Sequence, residues 1–162
     1  MEKERLIFSI ERYDHYFDSV NNKSAVFLAL STFIVSGLVA SYPVLVDKVN
    51  CDGFIHSLLI VLITLGISIM IIVVRASTPF TTKEKGSLYY FNGVSSLTRE
   101  EFINQSKIVS QEDDLQDLRI QVHSLANGLT SKFNKLKITG VLFIIQFSLF
   151  IPLIFLIVKN IK

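Results

Sequence analysis

Two kinds of pattern alternate along this chain. In the first, apolar side chains recur every three or four positions among charged ones: Leu6, Ile10, Tyr13, Phe17 and Val20 near the start, then Leu115, Leu118, Val122, Leu125, Leu129 and Leu136 in the last third. That spacing lays an apolar stripe along one side of an α-helix, and the second series is close to a heptad. In the second kind, charge disappears. No Asp, Glu, Lys or Arg occurs from Ser24 to Val46, from Gly53 to Val74 or from Ile138 to Val158. A helix needs about 20 mostly apolar residues to cross a hydrocarbon core about 30 Å thick, so each stretch predicts a transmembrane helix.

The stripes run into the first and third apolar stretches without a break. Neither Gly nor Pro precedes Gly37, which predicts one helix from about residue 3 to about Tyr42. Ser110 with Asp113 caps a second long helix, and Glu112, Asp113 and Asp114 complement the positive end of its dipole. Thr98 with Glu101 is a capping box for a short helix over 99–109. Residues 77–97 have no clear period; Tyr89, Tyr90 and Phe91 before the Asn92-Gly93 turn signal read as a short strand or a loop.

The expected fold is an all-α membrane protein with three transmembrane helices, two of them continuous with cytosolic stalk helices that pack in parallel. Its segments are an N-terminal stalk helix 1–24, spans 25–46 and 55–74 joined by an outer loop 47–54, a cytosolic insertion 75–110 of short helix and loop, a second stalk helix 111–137, and a third span 138–158.

Composition agrees. Half of the residues are hydrophobic and 19% are charged, below the roughly 25% of soluble proteins. A soluble reading would bury three helices that are apolar all round, and so short a chain could not cover them. Glu2, Glu4, Glu11, Asp14 and Asp18 precede the first span, unlike the short basic lead of a cleaved signal, so this span is expected to persist.

Lys and Arg decide the expected orientation. Thirteen lie before the first span or in the connection 75–137, against Lys48, Lys159 and Lys162 elsewhere. The positive-inside rule puts the N-terminus and that connection in the cytoplasm and the C-terminus outside the inner membrane. A net charge of +2 gives no dense basic face for nucleic acid. Cys51, the single cysteine, falls in the outer loop. His15, His56 and His123 have no carboxylate or cysteine at ligand spacing, and no phosphate loop, nucleophile elbow or carboxylate pair is present. Neither a metal site, a cofactor nor an enzyme is expected.

With Ala25 and Ile138 at one membrane edge, residues equally far upstream on parallel helices share a height. Asp18 falls near Ser131 and Lys132, Asp14 near Asn127 and Glu11 near Ser124, with Asn21, Asn22 and Lys23 touching the membrane. Two accounts stand. Asp18 pairs with Lys132 to set helix register while Lys23 snorkels, or the layer is a pocket for a polar anionic ligand on which Tyr13, Tyr16 or Tyr90 stacks. Within the spans, Thr32, Ser36 and Ala40, with Ala29, Gly37 and Ser41, provide small residues for helix packing inside one subunit or between subunits. Gln146 wants a partner there, from a Ser or Thr of the same subunit or from symmetry mates, and Pro152 predicts a kink.

Three motifs together resemble a known family, the transmembrane effectors of bacterial Pycsar antiphage systems. They are DSVNNKSA before the first span, YYFNG followed by REEF, and QVHSLANGLTSKFNKLK in the final stalk. The resemblance implies a homo-oligomeric sensor of cyclic CMP or cyclic UMP, made by a partner cyclase on infection, whose binding leads to disruption of the lipid bilayer. By position it implies Asp18, Asn22 and Lys23 as ligand contacts, with Tyr90, Asn92, Gln121 and Lys132 as further candidates. No separate nucleotide-binding domain fits this length, so the pocket is expected between the stalk and the 75–110 segment, within or between subunits. The competing expectation is a non-gated membrane scaffold whose polar layer is purely structural. A small transporter has less support, since the spans carry no ionisable residue beyond His56.

Overall fold

The computed structural model describes residues 1–50, 53–79 and 87–161; Cys51, Lys83 and Lys85 lie outside the described residues. Five helices follow one another: α1 (Glu2–Lys48), α2 (Gly53–Ser77), α3 (Phe91–Ser95), α4 (Arg99–Ile108) and α5 (Gln111–Lys159). The chain divides into two compact units, one of Met1–Ser19 with Pro79–Ser131, the other of Val20–Thr78 with Lys132–Lys162. Both α1 and α5 contribute to each.

In the second unit, α1 continues through Pro43 to Lys48, past the expected end near Tyr42. A proline removes one intrahelical donor without forcing the helix to stop, and apolar spans tolerate this better than soluble helices. α5 likewise continues through Pro152 to Lys159. α1 and α5 run parallel here: the Phe27 and Phe143 rings sit 5.3 Å apart, and further along Val49 bridges Ile161 while the Asn50 amide donates to the Asn160 carbonyl at 2.9 Å. α2 packs between them through two apolar clusters. One holds Leu38, Leu58, Leu59, Leu62 and Leu153; the other holds Ile69, Val73 and Phe143.

Three helices are long and apolar enough to cross a membrane, and the most apolar windows of α1, α2 and α5 are only 17%, 33% and 17% buried. Phe33, Ile144 and Phe155 are 76%, 68% and 67% exposed. Apolar surface on this scale is incompatible with water and fits lipid.

The first unit is built differently. Acids open α5 at Glu112, Asp113 and Asp114, and the Ser110 hydroxyl accepts the Asp113 amide at 3.1 Å. Thr98 closes both halves of the capping box with Glu101, so α4 starts at Arg99 and ends at Ile108. Of the segment expected as strand or loop, Tyr89 and Tyr90 lie in a loop and helix begins only at Phe91: Tyr90 is the N-cap of α3, which spans the Asn92-Gly93 pair. Its approach is anchored by Ser87, whose hydroxyl accepts the Tyr89 and Tyr90 amides at 3.2 and 2.9 Å. Gly93 packs on the Ser87 backbone so closely that a Cβ would overlap the Ser87 carbonyl oxygen.

Candidate functional site

Asp114, Asp117 and Gln121 follow one another at helical spacings of three and four, and so share one face of α5. The segment beginning at Ser87 lies along that face. The Leu88 amide donates to Asp117 Oδ2 at 2.8 Å, the Tyr89 hydroxyl to Asp114 Oδ1 at 2.7 Å, and Gln121 Nε2 to the Ser87 hydroxyl at 3.1 Å. Ser87 and Gln121 are 6% and 5% exposed. Their bond closes the inner end of the row.

The start of α1 is tied to α5 as well, by Lys3 to this face and by Glu2 to Arg119 on another. Lys3 Nζ donates to Asp114 Oδ2 at 2.6 Å, and Arg119 binds both Glu2 oxygens at 2.9 and 3.0 Å while holding Glu112 at 2.6 Å. Hydrogen bonds from Lys3 and Tyr89 hold the Asp114 carboxyl below the usual carboxylate range. Burial, then the Asp114 carboxylate, pushes the Tyr89 phenol up. The Lys3 ammonium is pushed up as well, by its bond to Asp114 first. These are surface groups, so the pairs serve alignment more than stability.

Beside the row lies a cleft of about 330 Å³ lined by Leu88, Gln105, Ile108, Val109, Asp113, Asp114 and Asp117. One wall is apolar, and the polar wall is dominated by acceptors. Such a surface receives N–H and O–H donors, with Leu88, Ile108 and Val109 offering a face for a flat ring.

The residues singled out from the sequence separate in the structure. Tyr90, Asn92 and Gln121 come together around Ser87: Asn92 Nδ2 donates to the Tyr90 hydroxyl at 3.2 Å, and the Tyr90 ring lies 4.9 Å from that of Phe91. Asp18, Asn22 and Lys23 are exposed on α1. Lys132 is 5% exposed, and its ammonium donates to the Ala76 and Thr78 carbonyls at 2.7 and 2.8 Å, at the C-terminal end of α2. It caps a helix.

Sequence reasoning missed Lys3, Ser87, Asp114 and Asp117. A signal was available in the spacing of Asp114, Asp117 and Gln121, three polar groups on the α5 face. Asp114 was read only as a complement to the helix dipole, and Asp117 and Ser87 not at all.

Among known proteins, a family model described as "Pycsar effector protein domain" matches residues 5–159. No curated protein and no solved structure matches the chain.

Proposed function

The chain belongs to the Pycsar effector family, and from that premise we propose that it senses a cyclic pyrimidine mononucleotide, cyclic CMP or cyclic UMP, and disrupts the membrane in response. The family makes it an antiphage defence effector, working with a partner cyclase at a membrane. One observation carries the reading: the family match runs from residue 5 to residue 159, across the polar segments and all three apolar helices alike.

The nucleotide site we propose is the cleft beside Leu88. Asp113, Asp117 and Gln105 accept from base N–H groups and the ribose hydroxyl, while Ile108 and Val109 cover the ring. Lys3, bonded to Asp114, is the cation at its edge for the phosphate. Tyr90, Asn92 and Gln121 hold the wall through Ser87. Asp18, Asn22 and Lys23 stay as proposed ligand contacts on α1, and the chain is proposed to self-assemble. Support for self-assembly comes from Ala29, Thr32, Ser36, Gly37 and Ala40, which are exposed in the single chain; among the described residues, nothing lies within 4 Å of a Cβ placed on Gly37. In this reading the N-terminus and residues 75–137 are cytosolic, as the Lys and Arg distribution favours.

Binding that favours one packing of the first unit shifts the population of packings by its differential affinity, and α1 and α5 are continuous helices with residues in both units. The test is dye release from liposomes holding the full chain. Release is expected with cyclic CMP or cyclic UMP and not with cyclic AMP; folded protein that releases no dye with either pyrimidine nucleotide refutes the reading. A non-gated scaffold is the competing reading. The internal bonds of Gln121 and Lys132 favour it, and it predicts that neither nucleotide raises the melting temperature.

A further inference from the structure

Gln146 lies in the apolar span of α5 and is completely buried. Its Nε2 donates to the Leu62 carbonyl of α2 at 3.1 Å, while its Oε1 has no partner among the described residues. From α1, the Ser31 hydroxyl donates to the Gly66 carbonyl at 2.9 Å and is equally buried. Both side chains converge on a glycine. A Cβ on Gly66 would overlap the Val35 side chain and stand 3.1 Å from Gln146 Nε2.

The place of this contact along α2 is telling. Leu62 belongs to one apolar cluster and Ile69 to the other, with Gly66 between them. Polar groups from two helices therefore meet the third at the gap between two apolar packings. In a dry core an acceptor without a donor is expensive, and the single amide bond to Leu62 returns little against it. An apolar side chain of the same shape would avoid that cost altogether.

We infer that Ser31, Gly66 and Gln146 form a polar seam that keeps the packing of α5 on α2 weak, so that water enters the three-helix unit there when its helices separate. The inference rests on the proposed membrane disruption for its purpose, though not for its physics. Once water reaches the seam, the Gln146 oxygen gains donors that the closed packing denies it, and opening becomes easier at this level than at the Leu62 or Ile69 clusters.

The experiment compares wild type with Gln146→Met, which keeps the length of the side chain and removes both amide atoms. Without nucleotide, the full-length variant in detergent is expected to melt about 2–4 °C higher, and its α2 amides around Gly66 are expected to exchange about tenfold more slowly. With nucleotide, liposome leakage is expected to fall about tenfold while the nucleotide-induced rise in melting temperature stays at the wild-type value. A variant that melts at or below wild type, exchanges no more slowly, or leaks at the wild-type rate overturns the seam. Gln146→Leu, read the same way, covers a failure of the methionine variant to fold. Wild type that does not leak with either nucleotide refutes the proposed function, and the melting and exchange comparison still decides the seam.

Discussion

Replacing Lys132 by methionine removes the ammonium while keeping a side chain about as long as the apolar stem that carried it. In the native structure that ammonium donates to two carbonyls, Ala76 at 2.7 Å and Thr78 at 2.8 Å, with 5% of the residue exposed. A hydrogen bond to a charged group contributes about 1.5–3 kcal/mol, so the two together contribute about 3–6 kcal/mol. Against this stands the cost of burying the charge: burial first, and the Lys135 charge second, push the Lys132 pKa down. Deleting the ammonium relieves that cost, which leaves a net loss of about 2–4 kcal/mol. For a chain of this size that corresponds to a melting temperature lower by about 4–16 °C. The assay is thermal unfolding of the full chain in detergent, followed by helical circular dichroism, beside Lys137→Met. Lys137 is exposed, so its loss is expected to stay within about 0.5 kcal/mol. If Lys132→Met unfolds together with Lys137→Met, the capping argument is refuted. If it also loses nucleotide binding at unchanged stability, Lys132 is a ligand contact, as the family resemblance implied.

Three further outcomes follow from the same geometry. Gly66→Ala drives a methyl into Val35 where α1 crosses α2, and is expected to destabilise the three-helix unit by about 1–3 kcal/mol, read as a lower melting temperature; unchanged melting contradicts the close approach. For Asp114→Asn the expectation depends on pH. Hydrogen bonds from Lys3 and Tyr89 hold the folded Asp114 carboxyl below the ordinary carboxylate range, so the carboxylate's contribution is complete above the unfolded pKa and is lost as pH falls through the folded one. Wild type should therefore melt above the variant at pH 7 and converge with it below pH ~4; a gap that persists in acid contradicts the assignment. Thr98→Ala removes the acceptor for the Glu101 amide, at 3.3 Å, and half of a capping box. It is expected to cost about 0.5–2 kcal/mol in α4, seen as faster amide exchange over 99–108 with α5 unaffected.

Much of the helical content could be read from the chain because its causes are local. Three charge-free stretches of spanning length, a capping box at Thr98 and Glu101, and an acidic first turn after Ser110 each act within a few residues of their own sequence. The misreadings have local causes as well. The end of α1 was expected near Tyr42, but the one donor missing at Pro43 does not stop a helix that its neighbours support. Tyr89, Tyr90 and Phe91 have strand-forming side chains, yet the Ser87 hydroxyl accepts the Tyr89 and Tyr90 amides and Gly93 packs on the Ser87 backbone, so that α3 starts at Phe91.

The candidate site was legible only in part. Tyr90, Asn92 and Gln121 were named from motifs, and the structure gathers them at Ser87. The acidic row that receives the segment was not named, because Asp114 and Asp117 acquire meaning only once an amide and a phenol 25 to 29 residues away in sequence are brought against them. Lys132 shows the same limit. Its residue type suits an anion, but its neighbours are the carbonyls that end α2.

By itself, then, the sequence determined that three helices belong in lipid and where the three long helices and α4 begin, since hydrophobicity, period and capping are properties of contiguous residues. It also marked Gln146 as a polar group in an apolar span. Tertiary structure alone decided what that amide meets: a carbonyl four residues before a glycine on another helix, with its own oxygen left without a donor among the described residues. No pattern along one helix could have specified this. Hydrogen bonding and packing between helices depend on register and on which faces meet, and those are set jointly by chain segments far apart in sequence.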